Sequence, residues 1–207
     1  MVSGTLIVVV AFFIPTRRVF VEAIGAITLF FLLIELVRLC SQRANRAVLD
    51  FFKPIVRVGE ESRLSGSSYY LIGCTISAIV FPKEIALLAI LYLAFGDPVA
   101  SLVGLLFGKR RKNSPLKDFY PKSLEGSIAC FLVCFLLTVF VSFVLSRTKE
   151  LNLGERLAFA GLGGLAGSIG ELIPFHTDDN LALPLVSGAL LWLSASIFNL
   201  IPGLYLQ

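Results

Sequence analysis

Residues 85–107 read IALLAILYLAFGDPVASLVGLLF, an unbroken apolar run whose only charged side chain is Asp97. A membrane-crossing α-helix needs about 20 mainly apolar residues, and this run reaches that length. The rest of the chain agrees: of 207 residues 57% are hydrophobic and 15% charged, and the mean hydropathy is +0.87. Ordinary soluble domains carry far more charge, which excludes that class. Further apolar stretches lie at 2–14, 19–39, 69–81, 124–145, 157–173 and 181–206, the first and third being short. The chain therefore reads as an all-α, multi-pass transmembrane helical bundle of about seven spans, forming a single integral membrane domain over residues 1–207. The opening segment has no basic n-region and no clear small-residue cleavage site, so it is expected to stay as structure.

Within the fourth span, Gly96-Asp97-Pro98 interrupts the apolar run. Asp is a favoured N-cap and Pro a favoured first helical residue, so the helix is expected to stop near Phe95 and restart at Pro98. A half-helix beginning inside the membrane presents free backbone N–H groups and a positive dipole end, both of which attract phosphate. An ionisable residue at that depth is costly and is a functional candidate.

The basic residues set an orientation, because short loops rich in Lys and Arg stay cytoplasmic. With seven spans and an inside N-terminus, the inside connections carry Arg38, Arg43, Arg46, Lys53, Arg57, Arg63, Lys109, Arg110, Arg111, Lys112, Lys117 and Lys122. The outside connections carry Arg17, Arg18, Lys83, Arg147, Lys149 and Arg156, half as many. Residues 40–68 include an amphipathic stretch around Val48, Leu49, Phe51 and Phe52 that suits a helix on the membrane surface.

Small residues have mostly structural readings. Gly163-xxx-Gly167 and Gly104-xxx-Gly108 permit close helix contact, and the GxGxxA string at 161–166 lacks the strand and βαβ unit of a dinucleotide site. Cys40, Cys74, Cys130 and Cys134 lack metal-type spacing and read as apolar filler.

Asp97, Glu125, Glu171, Asp178 and Asp179 all map to the inner half or inner edge under one topology, beside Lys109-Arg110-Arg111-Lys112 and Lys122. Ser123 is placed to cap the fifth span, with Glu125 in its first turn. Carboxylates near phosphate are what Mg²⁺ uses, since it binds through one or two carboxylates plus the nucleotide's oxygens. Cations beside it neutralise charge in phosphoryl transfer.

Gly96-Asp97-Pro98-Val-Ala100-Ser-Leu-Val-Gly104-Leu-Leu-Phe-Gly108-Lys109, followed by Lys122-Ser123-Leu-Glu125-Gly126-Ser127, resembles the signature of the CTP-dependent lipid-alcohol kinases. That family contains dolichol kinase, phytol kinase and the CTP-using diacylglycerol kinase and is related to the CDP-diacylglycerol synthases. The resemblance extends upstream through Glu35-Leu-Val-Arg38 and residues 61–70, and downstream through Glu171 and Asp179-Asn180 to Pro184. Two departures stand out. Val21 follows Arg17-Arg18 where many relatives have His, and the synthase-type C-terminal basic segment is missing, which favours the kinase branch. His176, the only histidine, reads as a loop residue with no catalytic part.

The resemblance implies transfer of the γ-phosphate of CTP to the hydroxyl of a membrane lipid: a polyprenol such as dolichol, phytol or diacylglycerol. In that reading Asp97, Lys122, Glu125 and Asp179 are catalytic, and Asp97 and Asp179 hold Mg²⁺. Lys109, Arg110, Arg111, Lys112, Lys122 and Ser123 bind the nucleotide. The implied partners are CTP and the lipid, with no nucleic acid; a homodimer is left open. The implied setting is a prokaryotic cell membrane with the site facing the cytoplasm. One rival is a cytidylyltransferase acting on a lipid phosphate. Another is a transporter whose broken fourth helix binds an anion.

The basic bias gives a direct test of topology. Cysteines introduced at Lys112 and Asn180 should react only from the cytoplasmic side, and one at Asn152 only from the other. Opposite sidedness of Lys112 and Asn180 would rule out a site shared between them.

Overall fold

Among the described residues of the computed structural model, which are 7, 14, 16–52, 63–108, 122–144, 151–173, 178–198 and 200, every regular element is helical. The order is α1 (Arg17–Cys40), α2 (Gln42–Phe52), α3 (Gly66–Val80), α4 (Lys83–Leu91), a π-helical turn (Tyr92–Gly96), α5 (Asp97–Phe107), α6 (Leu124–Val144), α7 (Leu153–Leu172) and α8 (Asp179–Ile197). Four helices are long and apolar enough to cross a membrane: Arg17–Cys40, Lys83–Phe107, Leu124–Val144 and Asp179–Ile197. α3 is apolar but shorter. α7 has 20 residues and carries Glu155, Arg156 and Glu171. The stretch expected at 2–14 lies outside the described residues except for Ile7 and Ile14.

α6 shows why the bundle belongs in a bilayer. Its Ile128, Leu132, Leu136 and Phe140 recur every fourth residue and are exposed, whereas Cys130, Cys134, Thr138 and Val141 on the opposite face are buried. α1 likewise exposes Ile27, Phe30, Leu33 and Val37. Helices satisfy their own backbone hydrogen bonds, so such faces rest against lipid without an unpaired polar group. The chain is an integral membrane protein.

In the rod formed by α4, the π turn and α5, α4 and the π turn are the part that the other helices enclose, whereas α5 exposes Leu102, Leu105, Leu106 and Phe107. Residues 85–94 are buried on every side, the mark of a core helix rather than a surface one. α3, α6 and α8 pack along α4, and α7 reaches the π turn.

The interruption at Gly96-Asp97-Pro98 takes a different form from the expected stop and restart. Gly96 and Asp97 both have right-handed helical backbone, with φ −61° and ψ −53° and φ −61° and ψ −50°, and no side chain caps α5. The Asp97 N–H bonds back to the Tyr92 carbonyl, five residues earlier. Pro98 has no N–H to donate, and its ring presses on the carbonyl four residues before it. Widening one turn to π geometry absorbs this without ending the helix. The fourth span is therefore bulged rather than broken, and the free N–H groups expected at a restart are not formed there.

Close approach between helices falls at the glycines singled out in the sequence. A Cβ on Gly163 would collide with the Thr138 and Tyr92 hydroxyls, one on Gly164 with the Phe131 ring, and one on Gly167 with Cys134 Sγ. Cys130 and Cys134 are free and buried, with their sulfurs 3.9 Å apart. On α5, Gly104 and Gly108 rest on Ser123, and on α6 Gly126 rests on the Ala100 carbonyl.

Gly163→Ala should lower stability by about 1–3 kcal/mol, the usual cost of an overpacked interior site. Gly161→Ala, where nothing lies within 4 Å of the added Cβ, should be neutral or mildly stabilising. Thermal unfolding in detergent checks both, and equal behaviour would disprove the tight α6–α7 seam.

Candidate functional site

Three helix ends meet where the sequence placed its polar residues: the start of α6, the end of α7 and the start of α8. Ser123 begins α6 as an N-cap, its Oγ accepting from the Gly126 N–H at 3.1 Å. Asp178 begins α8 in the same way, its Oδ1 accepting from the Asn180 N–H at 2.9 Å. With Asp178 in the cap, Asp179 is left to face its neighbours.

Lys122, one residue before the α6 cap, ties the three ends together. Its Nζ lies 3.3 Å from Asp179 Oδ2 and 3.8 Å from Glu171 Oε1, and it donates to the Glu171 backbone carbonyl. The Lys122 side chain is 16% exposed, that of Glu171 8%, and that of Asp179 46%. The ammonium is thus largely withdrawn from water, while one of its acidic partners opens outward. Ser127, one turn into α6, donates to Glu171 Oε2 at 3.1 Å and lies 3.1 Å from the Ser123 carbonyl. Glu171 therefore has both carboxylate oxygens engaged, as a buried charge requires.

Asp97 enters from the central rod. α5 crosses the start of α6 closely, with Gly126 against the Ala100 carbonyl and Gly104 against Ser123 Oγ. Asp97 stands one turn before that crossing and is half-buried. Its charge and that of Asp179 both oppose the Glu171 carboxylate, while Lys122 attracts it. Glu125 sits in the first turn of α6, where a carboxylate complements the helix dipole.

Of the expected site residues, Lys122 and Asp179 are in direct contact, Asp97 acts on the same buried carboxylate, and Ser123 and Glu125 open the helix beside them. Lys109, Arg110, Arg111 and Lys112 lie outside the described residues, as does His176. Among the described residues no three His, Cys, Asp or Glu side chains gather as a metal cage. Glu171, grouped by the sequence with the inner-edge acids but not among the expected catalytic residues, contacts both Lys122 and Ser127. Its signal was an ionisable residue near the end of an apolar span, with nothing local to name its partner.

A second buried pair lies at the end of α1. Arg38 Nε and Nη2 donate to the two Glu35 oxygens at 3.0 and 2.9 Å, a bidentate pair. Arg38 also bonds Asn45 of α2 and the Arg63 carbonyl, and Glu35 Oε1 accepts from the Ser65 N–H at 2.6 Å. Ser65 caps α3, whose Gly66 carbonyl accepts from the Asn180 side chain at 3.4 Å. The Glu35 and Arg38 positions quoted with the motif thus anchor α1 to α2 and to the start of α3.

No family model and no solved structure matches the chain, but curated proteins do. Over 146 residues it is 36% identical to a Schizosaccharomyces pombe protein named CTP-dependent diacylglycerol kinase 1, covering 68% of this chain and 65% of that one. It is 25% identical over 189 residues to "Uncharacterized protein RP860" of Rickettsia prowazekii, covering 84% of this chain and 85% of the other. It is 31% identical over 142 residues to the Oryza sativa protein named "Probable phytol kinase 1, chloroplastic", covering 65% and 44% respectively. The chain thus spans just under two thirds of the fission-yeast relative and less than half of the rice one.

Lys122→Met should destabilise the protein by roughly 3 kcal/mol, because it leaves the buried Glu171 charge without its cation. Adding Glu171→Gln should recover part of that loss, since the two residues act as a pair. A thermodynamic cycle in detergent measures the coupling; strictly additive effects would mean that the two do not interact.

Proposed function

We propose that this chain, which belongs to the CTP-dependent lipid kinase family, transfers the γ-phosphoryl group of CTP to the hydroxyl of a membrane lipid, releasing CDP. The acceptor is a lipid alcohol of the diacylglycerol, phytol or polyprenol class. The observation that carries the reading is Lys122, held between Glu171 and Asp179 where α6, α7 and α8 converge.

Phosphoryl transfer asks little covalent chemistry of a protein; it asks for positioning and for neutralisation of the charge spread over the moving group. Lys122 supplies a cation with its flexibility removed, because Glu171 and the Glu171 carbonyl hold it from behind while Asp179 faces outward. A triphosphate approaching from the Asp179 side meets that ammonium and the starts of α6 and α8, whose dipoles favour anions. Lys109, Arg110, Arg111 and Lys112, with Ser123, complete the nucleotide contacts in this reading. Glu125 orients a basic group or a metal-bound water.

Such a dense set of acids beside a triphosphate calls for a divalent cation, and Mg²⁺ fits the donors. It needs only one or two carboxylates and takes its other ligands from phosphate and water, so a full protein cage is unnecessary. Asp97 and Asp179, half-buried and half-exposed hard oxygen donors, are the residues that would hold it. When bound, the ion neutralises charge on the phosphates. The unit is one membrane domain over residues 1–207, in a prokaryotic cell membrane, with the site on the cytoplasmic face.

γ-labelled CTP given to purified protein with lipid alcohols should yield a labelled extractable lipid and CDP. Asp97→Asn should lower that rate by about a hundredfold or more, roughly 2.7 kcal/mol, because the amide keeps the shape but not the charge. Label arriving from the α position with pyrophosphate release would move the protein to the cytidylyltransferase reading.

A further inference from the structure

The π turn before Asp97 has a built seat. Tyr92, its first residue, is fully buried, and a buried phenol needs a hydrogen-bond partner. It finds one on α6: Tyr92 OH lies 2.6 Å from Thr138 Oγ1. Thr138 donates its own proton to the Cys134 carbonyl at 2.7 Å, so the Tyr92 hydroxyl is the donor to Thr138. The last residue of the turn, Gly96, rests on the sulfurs of Cys134 and Cys130, which a Cβ would meet at 3.0 and 3.2 Å. Cys130, Cys134 and Thr138 are spaced four apart and form one strip of α6, so both ends of the turn lie on it. α7 closes the strip from behind with Gly163 against Tyr92 and Thr138 and Gly167 against Cys134.

The strip lies on α6, which begins just after Lys122, and packs against α7, which bears Glu171. The backbone bond from the Asp97 N–H to the Tyr92 carbonyl makes Asp97 the residue whose place depends most directly on the turn. A π turn holds one more residue than an α turn. Relaxing it would rotate α5 by about 100° and shift it by about 1.5 Å, enough to carry a side chain to another face.

We propose that Tyr92 and Thr138 are positioning residues: their hydrogen bond holds the π turn and thereby sets the rotational phase of Asp97 against Lys122 and Glu171. The proposal rests on the kinase reading for its effect on rate but not for its effect on geometry. Tyr92→Phe removes only the phenol oxygen, Thr138→Val removes only the partner hydroxyl, and Thr138→Ser keeps it.

The test pairs a distance with a rate. Spin labels at Ser101→Cys on α5 and Ile128→Cys on α6, both exposed, report the relative phase of the two helices in a Cys40→Ser background. Tyr92→Phe and Thr138→Val should each shift the inter-label distance, and Thr138→Ser should retain the parent distance. In unlabelled protein the first two should lower kcat about tenfold or more with KM for CTP within about twofold, the pattern of lost transition-state interactions. Their double variant should be no slower than the worse single, and Thr138→Ser should recover the rate. Unchanged distances in Tyr92→Phe and Thr138→Val overturn the proposal, as does a shifted distance with full kcat. If the parent protein transfers no phosphoryl group, the kinase reading fails, and the distances alone then decide whether the seat holds the turn.

Discussion

Pro98 withholds one backbone donor from the rod whose first half, α4 and the π turn, the rest of the bundle surrounds. Lipid offers no water in its place, so a spanning helix keeps such losses few. A break with free ends would have exposed several N–H and C=O groups to hydrocarbon. The bulge instead redirects the Asp97 N–H to the Tyr92 carbonyl and keeps the rod continuous. Continuity has a further effect: α4 and α5 behave as one element, so the packing of residues 85–94 fixes the approach of Asp97 to its neighbours.

The two ends of the bundle treat charge differently. At the α6–α7 connection, Arg156 is buried and bonds the carbonyls of Leu151 and Ser142, with Phe143 4.6 Å beneath its guanidinium. Asn152 and Glu155 close a reciprocal capping box there, with bonds of 2.9 and 2.8 Å. Those polar groups serve to finish helix ends. At the opposite end Lys122 also donates to a backbone carbonyl, and it pairs in addition with the Glu171 and Asp179 carboxylates. The difference lies in the partners: at one end polar groups bond backbone within their own connection, and at the other Lys122 joins acidic side chains from two further helices.

The bulged rod also bears on the rival readings. A transporter of the broken-helix kind draws its anion affinity from a helix start at the membrane midplane. Here the helix continues through the Gly96-Asp97-Pro98 stretch instead of starting afresh, and the converging helix starts are those of α6 and α8.

Much of the fold was legible because it is written locally. The length and apolarity of residues 19–39, 85–107 and 124–145 mark helices that the structure contains, and Ser123 and Asp178 cap where their residue types suggest. The glycines of α7 announced close packing. The sequence alone also carried the motif that ties the chain to its lipid kinase relatives. Other features could not be read this way, because they depend on residues that meet only after folding. Gly96-Asp97-Pro98 is as consistent with a stop as with a bulge, and Thr138, 46 positions from Tyr92, is one of the contacts that hold the bulge. Glu171 could be grouped with the inner-edge acids, but its pairing with Lys122, 49 positions away, could not be read from the sequence. Neighbouring residues determine how a helix starts, turns and faces; which charges become buried together is decided by packing, since only there does the loss of water force each one to find its partner.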